Sequence, residues 1–291
     1  MKKNILIIGG DSYIASNFIN SFQTDFYFKV ISRKKTPYPN EFIIKDLFEI
    51  PNNFFVGMDV IMNFCAIVHK KEKDSLYKKI NFELPVFLFE KSKKFRIKHF
   101  IQMSTISVYE RSNNINLNSK ENPANSYGYY KLKTDNFLLN STDKNINVSC
   151  IRSPMVYGAN APGNMKRLIT LASINFPLPF KNIDNKLTFI NIKNLIHFLN
   201  IVINKELFGI LIPTDKQLTS TKEIIKIVRK ILGRKERLVI MPNYLKLVIK
   251  ILYPNIYNKL FESLVIECNI KNSAYKPNYT LFQGLRDYLK K

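Results

Sequence analysis

The chain has 291 residues, with 45 Lys plus Arg against 22 Asp plus Glu, for a formal net charge of +23 at pH 7. Its apolar content of 46% suits an ordinary globular core. No uncharged apolar stretch reaches the length of a membrane span, and the run up to Gly9-Gly10 is too short for a signal-peptide core, so a cytoplasmic protein is expected.

Cys65, Cys150 and Cys268 are odd in number and form no Cys-x-x-Cys pair, so they read as reduced core thiols; no metal site is expected. The basic residues are spread along the whole chain among abundant Asn and Ile, which reads as a compositional bias. Aromatics and cations form no recognisable nucleic-acid module, and a weak peripheral attraction to an anionic membrane is the most that the charge implies.

Asn4-Ile5-Leu6-Ile7-Ile8 is a continuous apolar run ending at glycine, which suits a buried parallel strand. The turn Gly9-Gly10-Asp11-Ser12-Tyr13-Ile14-Ala15 leads into an apolar-periodic helix. A strand, a glycine turn and a helix N-terminus together make a diphosphate site. Phe28 to Ile31 is the second strand, followed by Ser32-Arg33-Lys34-Lys35. A site for NAD usually has an acid there for the ribose hydroxyls. The cluster around Arg33 would instead take a 2′-phosphate, so NADP(H) is favoured over NAD(H).

Phe42 to Ile44 reads as a third strand and Asp59 to Asn63 as a fourth; Asp46-Leu47 and Cys65-Ala66 follow them. The stretch from Leu76 to Lys94 is a long amphipathic helix carrying Asn81, with a tolerated kink at Pro85. His99 to Met103 is the fifth strand, running into Ser104-Thr105-Ile106-Ser107-Val108-Tyr109. His69 reads as a plain loop residue. Strands alternate with helices, so the class is α/β with a parallel sheet.

Tyr127 and Lys131 stand at i, i+4 in the first turns of the next helix, which places both on one face. A free phenol has a pKa of about 10, and a neighbouring ammonium favours its ionised form. Such a pair can exchange a proton with a carbonyl or alcohol, half of a hydride-transfer reaction. Further on, Ser220-Thr221-Lys222-Glu223 is a capping box before an apolar stripe ending at Gly233, and Tyr244 to Ile251 is another helix.

Several motifs occur in a telling order. Gly9-x-x-Ser12-x-x-Ala15 is followed by Asp59-Val60-x-x-Asn63-x-x-Ala66, Asn81 and Ser104-Thr105-x-x-Val108-Tyr109. Asn125-Ser126-Tyr127-x-x-x-Lys131 and Arg152-Ser153-Pro154-Met155-Val156-Tyr157-Gly158 come next. The chain resembles the extended short-chain dehydrogenase/reductases, the NAD-dependent epimerase/dehydratase group that acts on nucleotide sugars. Tyr275-Lys276-Pro277 and Thr280 to Leu285 look like that family's closing helix.

The resemblance implies a Rossmann-type doubly wound parallel sheet of order 3-2-1-4-5-6-7. It assigns 1–160 plus 189–212 to the dinucleotide-binding domain, and 161–188 plus 213–291 to a small C-terminal substrate-binding lobe. Thr105 would orient the reacting sugar oxygen, Tyr127 would carry its proton, and Lys131 would hold the nicotinamide ribose and lower the Tyr127 pKa. Gly9, Asp11, Ser12, Tyr13, Ile14, Arg33, Asp46, Leu47, Cys65 and Ala66 would complete the cofactor site. Asn164 and Lys186 would touch the nucleotide diphosphate, while Asn194, in place of the customary Asp, is assigned no chemistry.

Ile106 and Ser107 occupy the places where dehydratases carry an acidic pair, which argues against dehydration. The segment from Met155 to Phe189 looks like the branch handling UDP-N-acetyl-6-deoxy sugars in capsule and O-antigen synthesis. The activity implied is NADPH-dependent reduction of a UDP-2-acetamido-2,6-dideoxy-4-hexulose at C4. The rivals are a UDP-hexose or UDP-HexNAc 4-epimerase with retained NAD, and a non-catalytic cofactor-binding regulator. A homodimer would use the helices containing Asn81 and Tyr127.

Overall fold

A computed structural model describes residues 2–38, 40–68, 72–110, 112–141, 145–271 and 273–290; His69 lies outside them. Seven strands form one sheet: Asn4–Ile8 (β1), Tyr27–Ser32 (β2), Glu41–Ile43 (β3), Val60–Asn63 (β4), His99–Thr105 (β5), Asn147–Ser153 (β6) and Gly209–Leu211 (β7). All pairings are parallel, and the order is 3-2-1-4-5-6-7 as expected. The chain reverses its direction of winding between β1 and β4, so the carboxyl ends of β1, β4 and β5 open on one crevice, where such sheets bind ligands.

The alternation of a strand sends Ile5 and Ile7 to one face of the sheet and Leu6 and Ile8 to the other. On the first face they pack with Phe18 of the helix Tyr13–Phe22 (α1), and on the second with Leu88 and Phe100. Burial on both faces explains why β1 is apolar throughout rather than alternating.

The expected long helix is divided into Asp74–Lys78 (α2), a π-helical turn Lys79–Glu83 and Leu84–Lys94 (α3), with Pro85 in the first turn of α3. Pro85 has no N–H for the carbonyl of Asn81, four residues back. That carbonyl instead accepts the Thr134 hydroxyl at 2.6 Å, from the helix Ser126–Leu139 (α4). The proline thus leads to an inter-helix hydrogen bond where a simple kink was expected.

The remaining helices are Asn164–Ala172 (α5), Ile192–Lys205 (α6), Thr221–Ile231 (α7), Asn243–Leu252 (α8), Pro254–Leu260 (α9) and Leu281–Leu289 (α10). The capping box at Ser220 and Glu223 opens α7, and a second at Thr280 and Gln283 opens α10. Met165, Ile169, Ile224, Val228, Leu281 and Leu285 unite α5, α7 and α10 in a separate apolar cluster. Asn194 of α6 is buried, donates to Asp215 (2.7 Å) and the Tyr279 carbonyl (2.9 Å), and accepts the Asn278 and Tyr279 N–H groups. An Asp there would set a second carboxylate against Asp215, whereas the amide satisfies donor and acceptor together. Cys65 and Cys150 are buried free thiols, but Cys268, expected in the core, is only half-buried. Among the described residues no helix is long and apolar enough to cross a membrane.

Candidate active site

Thr105 ends β5, and Asn125 caps α4 by accepting the Gly128 N–H at 2.9 Å, which places Tyr127 in the first turn. A Cβ at position 128 would collide with the Ser107 carbonyl, so glycine there lets the start of α4 close onto the turn after β5. Thr105 and Tyr127 are thereby neighbours. Burial pushes the Tyr127 phenol up to about 12, partly opposed by the adjacent Thr105 hydroxyl. Thr105 also serves its own turn, its Oγ1 accepting the Ser107 N–H at 3.1 Å.

Lys131 is fully buried, and its Nζ donates to the Met103 carbonyl at 2.7 Å. Burial lowers its pKa to about 8, with Asp135 acting the other way. The expected acidification of Tyr127 by Lys131 is not seen: the ammonium turns to a backbone carbonyl, and burial dominates the phenol. Behind the pair lies a buried cluster. Arg152 Nε donates to Asp135 at 2.9 Å, Arg152 Nη1 to Glu121 at 2.5 Å, and Ser104 Oγ to Asp135 at 2.8 Å. The Arg152 guanidinium also covers the Tyr109 ring, 4.9 Å from its centroid.

Gly9, Asp11, Ser12, Tyr13 and Ile14 form the β1–α1 turn and the start of α1, and Cys65 packs against it. Gly9 has φ of +84°, and a Cβ on it would lie 2.7 Å from Cys65 Sγ, so the loop after β4 packs directly on the glycine turn. Asn63 holds that loop, accepting the Cys65 N–H at 3.0 Å and donating to Gln102 at 2.9 Å. Asn81 binds both backbone groups of Ile67, at 2.9 and 3.0 Å. Cys65 is raised to about 12 by burial, with Arg33, Asp11 and Lys131 all contributing electrostatically, so these residues surround one site.

A serine in the second glycine position could obstruct a diphosphate. Ser12 instead folds back as the α1 cap, accepting the Ala15 N–H at 3.1 Å, and leaves the turn open. Tyr13 is tied to the far side of the site through the Ala159 carbonyl at 2.8 Å, and Ile14 occupies the first turn of α1. At the end of β2 the Ser32 hydroxyl is a buried polar atom without a hydrogen-bond partner among the described residues, beside Gly10, whose missing Cβ would meet Ser32 Oγ at 2.9 Å. A dinucleotide fits this setting: an open glycine turn, the N–H groups of α1, and a spare hydroxyl at the ribose end with exposed Arg33 next to it. Leu47 is buried, and Asp46 caps the short turn after β3 by accepting the Phe48 N–H at 3.0 Å, with its carboxyl held low by that bond.

The model of the NAD dependent epimerase/dehydratase family matches residues 5–207. The chain belongs to that family. A UDP-glucose 4-epimerase of Vibrio cholerae is 26% identical over 202 residues, 63% of this chain and 61% of the relative, so the match spans less than two thirds of that protein. The fold is similar to that of UDP-N-acetylglucosamine 4-epimerase from Bacillus cereus, with a TM-score of 0.81 and 18% identity, covering 98% of this chain and 97% of the other. It is also similar to Bordetella bronchiseptica WbmG in complex with NAD and UDP, with a TM-score of 0.77 and 17% identity, covering 99% and 93%.

Within this epimerase/dehydratase framework the substrate candidates are less tightly placed than Thr105, Tyr127 and Lys131. Asn164 opens α5, but its side chain lies outside what the structure describes. Lys186 is exposed, and its backbone is held by Ser263 at 3.0 Å and Leu264 at 2.7 Å. Its neighbour Asn185 is the buried anchor, bonding Thr221 and the carbonyls of Leu260 and Glu262. Sequence reasoning gave no role to Ser32, Gln102, Asp135 or Asn185. Asp135 had a readable signal: it lies one turn beyond Lys131 on the same helix face, a charge on the inward side.

Proposed function

We propose that the chain reduces the C4 ketone of a UDP-2-acetamido-2,6-dideoxy-4-hexulose with NADPH. The product is of UDP-FucNAc or UDP-QuiNAc type, used in capsule or O-antigen synthesis. The arrangement that carries the reading is the Tyr127 phenol set beside the Thr105 hydroxyl at the carboxyl end of β5, with burial pushing the phenol up. At neutral pH it keeps its proton and is ready to donate it, as a ketone reduction requires. A reduced nicotinamide cofactor would be held along Gly9 to Ile14 and would supply the hydride. Tyr127 protonates the oxygen retained at C4, Thr105 orients that oxygen, and Lys131, buried one turn along the same helix, would hold the ribose.

Asn164 and Lys186 hold the diphosphate, and Arg33 with Ser32 receives the 2′-phosphate of NADP. The absence of an acid from Ser32-Arg33-Lys34-Lys35 supports this choice. The 4-epimerase names of the relatives favour a second reading, with retained NAD. In that cycle Tyr127 must first act as a base, which its raised pKa opposes.

Incubating the protein with NADPH or NADH and a panel of 4-keto UDP-sugars, and separately with UDP-hexoses and UDP-HexNAcs, followed by NMR of the products, separates the two. Stoichiometric NADPH oxidation with a new C4 alcohol is expected. Interconversion of C4 epimers without net cofactor consumption would assign the chain to epimerisation instead.

A further inference from the structure

We propose that α8 and α9 lie on an anionic lipid bilayer as an in-plane amphipathic anchor. Tyr244, Leu247, Val248 and Ile251 recur at i, i+3, i+4 and i+7, so they form a single stripe along α8. In a globular protein that stripe should face the core. Here it faces outward: these residues are 70%, 58%, 45% and 68% exposed, and no residue of α8 is buried. The half-buried side chains of this helix are Lys246 and Ile249, on the opposite side. Leu252, at 63%, and Ile256, at 51%, continue the exposed surface across the Pro254 turn into α9.

Charge selects the occupant. From Arg237 to Phe261 the chain carries Arg237, Lys246, Lys250 and Lys259 and no acid, within a molecule of net charge +23. A second copy meeting this face about a two-fold axis would bring the same acid-free segment, with no carboxylate to pair with these cations. Anionic headgroups complement them while the acyl boundary takes up the apolar stripe. The length agrees with an in-plane position, since a helix of 10 residues cannot span a bilayer. Tyr244 and Tyr253, which is 58% exposed, sit at the rim where aromatic side chains favour the headgroup level.

The chain contains no tryptophan, so a single Trp reports without background. The full-length Leu247→Trp variant is mixed with phosphatidylcholine vesicles, with or without phosphatidylglycerol, and with brominated acyl chains in a parallel set. A blue shift and bromine quenching with the anionic vesicles only are expected. Ile251→Glu in the otherwise unchanged chain should lower vesicle co-sedimentation at least tenfold while leaving the far-UV circular dichroism intact. Vesicle binding without blue shift or quenching, and undiminished by Ile251→Glu, would reduce the effect to general adsorption of a basic protein and overturn the proposal. Absence of binding overturns it too, as does a concentration-dependent dimer that Ile251→Glu dissociates.

Discussion

Helices α4 and α8 both break the rule of apolar inside and polar outside, in opposite directions. The first turns Tyr130, Lys131, Thr134 and Asp135 inward, whereas the second turns Tyr244, Leu247, Val248 and Ile251 outward. On α4 each inward group has a partner: Asp74 for Tyr130 (2.5 Å), the Met103 carbonyl for Lys131, the Asn81 carbonyl for Thr134 and Arg152 for Asp135. Desolvation there is offset by hydrogen bonds, and the result is a fixed geometry around Tyr127. The apolar stripe of α8 has no comparable cover among the described residues. Inward polarity thus marks a site assembled within the fold, and outward apolarity a surface that needs something beyond it.

The sharpest way to break the comparison is at Tyr127. Tyr127→Phe removes the proton donor and keeps the ring, so turnover should fall by about 10²–10⁴ while UDP-sugar affinity is retained. Near-normal turnover would take Tyr127 out of the chemistry. Lys131 adds a pH signature. Its pKa, lowered to about 8, means that the ammonium is lost as pH rises through that value, so the rate of reduction should decline there. Lys131→Arg stays charged and should move that limb upward, even if its overall rate is lower.

Next in size is Asp135, which bears on stability. Asp135→Ala leaves the buried Arg152 guanidinium with Glu121 as its one carboxylate partner among the described residues. Removing one member of a buried pair costs about 3–5 kcal/mol, readable from the denaturant midpoint with an unchanged slope. A loss below about 1 kcal/mol would mean that the cluster is wetter than its burial indicates.

The sheet was legible because strands buried on both faces leave continuous apolar runs, as in Ile5 to Ile8, and because glycine and capping residues punctuate the ends. Thr105, Tyr127 and Lys131 were legible because their types and spacing carry the chemistry. The partners behind them were not. Asp135 and Arg152 meet only through tertiary folding, 17 residues apart in sequence, and Asn185 reaches Leu260 across 75 residues. The direction of the Lys131 ammonium was also hidden, since helix spacing sets a face but not which acceptor a long side chain finds. On α8 the periodicity gave a helix, but its sign relative to the core could not be read: an apolar stripe looks the same whether it faces inward or outward.

Thr134→Val tests the π turn. The substitution keeps the shape and deletes the hydroxyl, leaving the Asn81 carbonyl without Pro85 or Thr134 as donor. About 1–3 kcal/mol of stability should be lost. The Asn81 side chain still holds Ile67, so the loop over the glycine turn should loosen less than the helices do. Hydrogen exchange would show faster opening in α3 and α4 than at Ile67.

The smallest expected effect is on the other side of the comparison. In solution, without lipid, Ile251→Glu should change folding stability by no more than about 0.5 kcal/mol, the range of ordinary surface substitutions. An inward isoleucine replaced by a charge would cost several times that. The same substitution should nevertheless have the large effect on bilayer binding, and this dissociation is what distinguishes an outward-facing stripe from a core. If the midpoint falls by as much as for Asp135→Ala, the α8 face is buried in the free protein, and its apolar residues belong with those of α7 and α10 as ordinary packing.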